Sequence, residues 1–244
     1  MTSPLMQVRG ATMDFSGLRA LSGVDFDVAE GAITGIIGPN GAGKTTLFNV
    51  IAGNYKPTAG RVLFADREIT GLAPNKICRM GISRTYQSVR PFLGLSVLNN
   101  VKVALLYGRR QGPPTPGRIE QEIVEILRFV HLGASGDKRA EELIPLDRKR
   151  LEIARALATN PRLLMLDEVI AGLTPRETLE MMDTIRQINQ RGITVLLIEH
   201  VMRAVMGLCN QIIVLHHGEK IAEGDPVSIS QDETVIKAYL GSQL

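Results

Sequence analysis

Cysteine is scarce in this chain. Only Cys78 and Cys209 occur, far apart in sequence, with no CxxC partner and no histidine cluster beside them. They read as single thiols in a reducing compartment, which argues against a disulfide framework or a zinc site. No apolar run approaches the ~20 residues that a membrane-spanning helix needs, so the chain is not expected to cross a bilayer by itself. Met1-Thr2-Ser3-Pro4 lacks the charged start and apolar stretch of a secretory leader. The charge excess is small, +3 formally with a pI near 9.0. Its basic residues are interspersed with acids, which fits a solvated surface better than a nucleic-acid footprint. There are no internal repeats, coiled-coil heptads or low-complexity tails.

What is present is ordinary globular material: 244 residues, 44% hydrophobic and 22% charged. That length holds one large domain or two small ones and buries a sizeable core. Short β-like segments come first, at residues 5–9, 12–15 and 24–28, the last alternating as V-D-F-D-V. Residues 32–38 form a continuous apolar run, as expected of a strand buried in a parallel sheet. A helix is expected at 46–52 and a strand at 60–65. From about residue 97 to 160 the pattern turns helical, with helices at 97–107, 119–130 and 147–159 and a Pro/Gly-rich break at 112–117. Strands at 163–166 and 193–198 then alternate with helices at 175–189 and 201–208. Segments 212–215 and 220–222 flank His216-His217-Gly218-Glu219 as a hairpin. The expected fold is α/β with a helical insertion in the middle.

One motif carries chemistry on its own. Gly38-Pro39-Asn40-Gly41-Ala42-Gly43-Lys44-Thr45 satisfies GxxxxGK[ST] between an apolar strand and a helix. In such a loop the glycines let backbone N–H groups approach phosphate oxygens, lysine adds a point charge, and the Thr45 hydroxyl can ligate Mg²⁺. The helix that follows favours the same anion at its N-terminus. A nucleotide site also needs a carboxylate at the end of a neighbouring strand, and Leu163-Leu164-Met165-Leu166-Asp167-Glu168 supplies two. Asp167 is placed to hold the metal, directly or through water, and Glu168 to act as general base on an attacking water. Alone, an acid ending an apolar strand would mark only a strand-to-loop transition. His200 ends a similar stretch, Thr194-Val195-Leu196-Leu197-Ile198-Glu199-His200. A histidine there is either structural or at the ligand-binding edge of the sheet.

With these residues in place, the chain resembles the ATP-binding subunits of ABC transporters, and most closely those of branched-chain (hydrophobic) amino-acid importers. The resemblance runs over essentially the whole chain. It covers the GPNGAGKTT unit, the helical stretch Leu151-Glu152-Ile153-Ala154-Arg155-Ala156-Leu157, LLMLDE, AGLTP, LLIEH and the tail Val235-Ile236-Lys237-Ala238-Tyr239-Leu240-Gly241. It implies a P-loop NTPase (RecA-like) core with an N-terminal antiparallel β-subdomain and an inserted α-helical subdomain. Within a single domain over 1–244, the core would take residues 1–87 and 162–244, and the helical part 88–161. It further implies ATP and Mg²⁺ as ligands, with hydrolysis coupled to transport. Phe15 resembles the aromatic that stacks on adenine, with an ordinary core phenylalanine as the competing reading. Thr46 extends the phosphate cradle. Gln87 resembles the glutamine that senses Mg²⁺ and the attacking water, and His200 the histidine that contacts the γ-phosphate. Residues 90–99 would lie near the groove that receives a cytoplasmic helix of membrane permease subunits. The resemblance thus implies a peripheral protein at the cytoplasmic face of the inner (plasma) membrane, indirectly served by a solute-binding protein. ATPase subunits of lipid or lipopolysaccharide exporters are of similar length and stay open as an alternative. A soluble ABC ATPase of DNA repair or translation is a weaker alternative, because long insertions, zinc cysteines and a tandem domain are missing.

Three places depart from the family pattern. The signature that completes a partner's nucleotide site, consensus LSGGQ, falls on Leu143-Ile144-Pro145-Leu146-Asp147, where only the leucine matches. Ile144 lacks the capping hydroxyl, Pro145 has no N–H, and Leu146 is bulky where glycine allows close approach. Asp147 sets a negative charge near a polyanion. A like-charge pair at ~4 Å costs up to about 4 kcal/mol at an effective dielectric of ~20, which Arg148 and Lys149 would partly offset. Val169 stands where proline usually follows the catalytic glutamate, and Thr174 where the loop between subunits usually has aspartate. These departures imply pairing with a second, different ATPase subunit.

Overall fold

The computed structural model of the chain describes residues 4–109 and 112–240. Met1, Thr2 and Ser3, on which the leader reading rests, and Gly241 of the tail stretch lie outside the described residues. Strands β1 (Met6–Phe15) and β2 (Leu18–Val28) open the chain, and β3 (Ile33–Ile37) leads into helix α1 (Lys44–Ile51). β4 (Ala59–Phe64), β5 (Arg67–Glu68), α2 (Pro74–Met80) and β6 (Ile82–Arg84) follow. Three helices come next, α3 (Val97–Tyr107), α4 (Pro116–Phe129) and α5 (Pro145–Ala158). The last part alternates β7 (Leu163–Asp167), α6 (Pro175–Gln190), β8 (Thr194–Ile198) and α7 (Met202–Leu208). It ends with β9 (Gln211–His216), β10 (Glu219–Gly224), α8 (Pro226–Gln231) and α9 (Glu233–Leu240).

Two sheets result. β2-β1-β4-β5 form an antiparallel sheet, and β10-β9-β3-β8-β7-β6 a larger one in which only the β9–β10 pair is antiparallel. The central strands β3, β7 and β8 are buried at every position, as their unbroken apolar runs require. Alternate residues serve two cores. Leu164, Leu166, Val195 and Leu197 join the cluster built with α3 to α7, whereas Leu163, Met165, Leu196 and Ile198 join α1 and the antiparallel sheet. Because β3, β7 and β8 run parallel, their C-terminal ends meet at one edge. The phosphate loop, Asp167-Glu168 and Glu199-His200 all emerge there.

Local differences from the sequence pattern have local causes. The expected strands at 5–9 and 12–15 are one strand, β1, whose register with β2 shifts between Val8 and Ala11, around Gly10 with its positive φ of 59°. The segment at 24–28 is the second half of β2. α2, β6 and α8 span seven, three and six residues, too short for a periodic signal. α5 starts at Pro145, two residues before the expected boundary, since proline at the first helical position loses no hydrogen bond and brings the right φ. Thr174 has a local role. Its hydroxyl accepts from Glu177 N at 3.3 Å and Glu177 Oε2 accepts from Thr174 N at 2.8 Å, a reciprocal box that closes the start of α6.

Glu199 is the most perturbed acid. Only 1% exposed at the end of β8, it accepts a hydrogen bond from Ile170 N at 2.7 Å. Burial pushes its carboxyl up to about 7, against the Ile170 hydrogen bond and the charge of Lys149. The folded chain therefore holds this proton more tightly than the unfolded chain. The group's contribution to stability falls as pH rises from the ordinary carboxylate range through 7. Glu199→Gln removes that dependence. Urea titrations should show the variant gaining on the native chain between pH 5 and pH 8, by up to about 3 kcal/mol. A stability difference that stays flat across this range would contradict the assignment.

Candidate functional site

The loop between β3 and α1 is held from behind by close packing. A Cβ on Gly38 would lie 2.1 Å from Leu215 O, and one on Gly43, at φ 98°, 2.6 Å from Ala20 O. Both positions therefore admit only glycine, and the loop is seated against β9 and β2. The β9–β10 turn completes the seat, with Gly218 N donating to Ala42 O at 3.1 Å and Ser22 N to Gly218 O at 2.8 Å. Lys44 is buried, and its ammonium donates to Gly38 O at 2.7 Å and Pro39 O at 2.9 Å. Desolvation lowers its pKa, opposed by the charges of Glu168 and Asp167. A polyanion beside it would offset that loss of solvent.

In front of the loop lies a cleft of about 520 Å³. Asn40, Gly41, Ala42, Gly43, Lys44, Thr45 and Thr46 line it from the loop, and Phe15, Gln87 and Glu168 from other elements. Gly38 and Pro39 do not line it. They contribute the carbonyls that hold Lys44. Phe15, the last residue of β1, stands edge-on to Tyr55, ring centroids 5.3 Å apart. A second cavity of about 340 Å³ shares Thr45 and Gln87 with the cleft and adds Asp167, Arg84 and Asn49. The two cavities thus adjoin at Thr45 and Gln87.

At the end of β7 the charged groups meet. Gln87 Nε2 donates to Glu168 Oε2 at 2.7 Å, and His200 Nδ1 lies 3.8 Å from the same oxygen. His200 is half-exposed and contacts Glu168 without lining the cleft. Asp167 is buried, and its Oδ2 accepts from Arg84 at 2.7 Å. Desolvation raises the Asp167 pKa, and Arg84 opposes the shift. Its Oδ1 is buried without a hydrogen-bond partner among the described residues. A buried carboxylate with one unpaired oxygen, on a residue that lines the same cavity as Thr45, fits a hard divalent cation with few protein ligands and the rest water and phosphate. Among the described residues no cluster of three or more His, Cys, Asp or Glu could hold a metal as an all-protein cage.

Sequence reasoning missed Arg84, Lys149 and Glu199. Arg84 also donates to Asn49 Oδ1 at 2.6 Å and lies over the rings of Phe48 and Tyr86, which fixes α1 to the end of β7. Its place three residues before Gln87 was the available signal. Lys149 and Glu199 carry none, since only folding brings them to the loop after β7. At the degenerate signature, α5 begins without a side-chain cap, Ile144 is exposed and Leu146 buried. Arg148 donates to Leu143 O at 2.9 Å and Glu141 O at 2.8 Å. Asp147 is paired with Arg150 at 3.1 Å, and Arg150 also holds Glu180. Arg150 therefore offsets the charge of Asp147, a duty the sequence pattern had given to Arg148 and Lys149.

Comparison with known proteins agrees with this geometry. Residues 21–171 match the family described as ABC transporter, and residues 219–243 the one described as branched-chain amino acid ATP-binding cassette transporter. The chain is 40% identical to the high-affinity branched-chain amino acid transport ATP-binding protein LivG of Escherichia coli (strain K12), over 99% of each chain. It is 35% identical to the lipopolysaccharide export system ATP-binding protein LptB of Acidithiobacillus ferridurans, over 99% of this chain and 98% of that one. The crystal structure of a nucleotide-free ATP-binding cassette from an ABC transporter superposes with a TM-score of 0.88 at 32% identity, covering 97% of this chain and 98% of the other. A phosphate loop, an acidic strand end and a matching cassette fold make this a nucleotide-binding enzyme whose ATP hydrolysis is coupled to transport. The chain belongs to the ABC transporter family of ATP-binding proteins.

Proposed function

We propose that this chain energises the uptake of branched-chain or related amino acids through membrane permease subunits, from the cytoplasmic face of the plasma membrane. The tail match at residues 219–243 carries the choice of cargo, and the full-length similarity to LivG supports it. The lower identity to LptB keeps lipopolysaccharide export as a second reading. No helix among the described residues is long and apolar enough to span a membrane; in this reading the path for solute lies in the permease subunits. The groove for a permease helix would be lined by Tyr86, Arg90, Glu152 and Arg155, with Phe92 and Leu93 exposed beside it. A solute-binding protein would act on the permease, without touching this chain.

In the cleft, Phe15 would take the adenine, while the backbone of residues 40–46 and Lys44 would take the phosphates. Thr45 and Asp167 would hold Mg²⁺, with Gln87 beside it; bound there, the ion supplies positive charge to the β- and γ-phosphates. Water attacks the γ-phosphorus in line as its bond to the β–γ bridging oxygen breaks and ADP leaves with that oxygen. Glu168 takes the proton of the water, while Lys44 and His200 stabilise the charge that develops on the phosphoryl oxygens. The placement of Glu168 between Gln87 and His200 is the observation that carries this assignment.

The signature end of α5 supports a further element, pairing with a different ATPase subunit. Pro145 takes away an N–H with which glycine-rich signatures meet a phosphate, and exposed Ile144 brings no hydroxyl; Leu146, expected to crowd the phosphate, is instead folded into the core. The site completed by this α5 would bind ATP and turn it over slowly, while a normal signature from the partner serves the loop at 38–45.

Three measurements test these readings. ATP-driven uptake of labelled leucine into vesicles holding the assembled transporter should be seen; its absence, with export of lipopolysaccharide in its place, would reverse the direction assigned. Glu168→Gln should bind ATP normally and lower turnover by about 10²-fold or more, and unchanged turnover would remove Glu168 from the mechanism. The purified chain alone should hydrolyse ATP slowly and accelerate when its partner ATPase is added. Fast hydrolysis by a homodimer would sink the paired-subunit reading.

A further inference from the structure

Glu168 leaves β7 in a left-handed conformation, φ 51°, which a non-glycine residue keeps only where its surroundings over-determine it. Three side-chain or backbone anchors do so. Glu168 N donates to Ile198 O at 2.9 Å, extending the β7–β8 ladder by one residue. The carbonyl oxygens of Glu168 and Ala171 accept from Lys149 Nζ at 3.3 and 2.5 Å. Between them, Ile170 N donates to Glu199 Oε1 at 2.7 Å. A cation from α5 and a carboxylate from the end of β8 thus satisfy the backbone of one short, buried loop. Val169 and Ile170 are 4% and 1% exposed, so water cannot easily take over these bonds.

We propose that Lys149 is a positioning residue for hydrolysis: by holding the Glu168 and Ala171 carbonyls, it fixes the direction in which the Glu168 side chain enters the cleft. The inference rests on the reading of Glu168 as the group that takes the proton from water. Lys149 lines neither the cleft nor the cavity beside it, so it acts only through the loop. It is not what holds α5 to the sheet. Leu151, Ile153 and Ala154, each fully buried, do that. Glu199 and Glu168 favour its charged form against the desolvation that lowers its pKa, so the donors stay available. Loss of Lys149 would therefore leave the helix seated and free two carbonyls in the loop, letting the Glu168 carboxylate drift from its place beside Gln87. A displacement of about 1 Å in a reacting group costs up to ~10²-fold in rate.

The test is steady-state ATP hydrolysis by the assembled transporter carrying Lys149→Met, which keeps the side-chain length and removes the donors. The expected result is a kcat lower by about 10-fold to 10²-fold, with KM and the affinity for a non-hydrolysable ATP analogue within about twofold of native. Lys149→Arg, which can donate to both carbonyls, should recover most of kcat. A native kcat in Lys149→Met, an equal loss in affinity and rate, or no recovery with arginine would each overturn the proposal. Should Lys149→Met fail to assemble, Lys149→Gln takes its place, with an intermediate kcat expected and a native kcat overturning. Glu168→Gln is measured alongside. If it keeps native turnover, the reading of Glu168 falls; if it abolishes turnover while Lys149→Met does not lower it, only the positioning role falls.

Discussion

Desolvation at one edge of one parallel sheet is the constraint on which the rest of this structure depends. β3, β7 and β8 are sealed on both faces and carry no charged residue before their C-terminal ends. Lys44, Asp167 and Glu199 are set there, each less than a tenth exposed. Burial drives every one of them toward its neutral form. Each charge is therefore tied to a specific neighbour: Lys44 to two loop carbonyls, Asp167 to Arg84, Glu199 to the Ile170 amide. The incoming nucleotide meets groups already held in place and poorly solvated, the condition under which electrostatic stabilisation is most effective.

The parts of this edge that were legible in the sequence are those with contiguous signals. The phosphate loop is eight consecutive residues, and the acids at 167 and 168 end an apolar run that could only be a buried strand. The α/β alternation could be followed through β7, α6 and β8 because buried strands and amphipathic helices write different periods. What stayed hidden is what folding brings together. Arg84 reaches Asp167 from a three-residue strand, and Lys149 and Glu199 converge on one loop from positions 50 residues apart. The fixed glycines were read as space for phosphate. Gly38 and Gly43 owe their identity to Leu215 and Ala20 packed behind the loop.

The departures from the family pattern also have different weights once their surroundings are known. Thr174 caps α6 through its reciprocal bonds with Glu177, a role that aspartate also fills, so its cost to the helix is small. Asp147 is paired with Arg150, which moves the burden of the degenerate signature from charge to backbone. Pro145 remains without an N–H, whereas Leu146 folds its side chain into the core and leaves the outer face clear.

α5 therefore carries two unlike ends of work within its first two turns. It opens at exposed Pro145, which has no N–H to offer a phosphate, while Lys149, four positions later, turns inward to the loop that bears Glu168. Arg148 and Arg150 on either side tie the same turn to Leu143, Asp147 and Glu180. A helix start fixed this firmly cannot shift without pulling on the Glu168 and Ala171 carbonyls. The same helix start thus joins a signature that lacks an N–H at Pro145 to the turn whose Lys149 holds the carbonyls of the loop that bears Glu168.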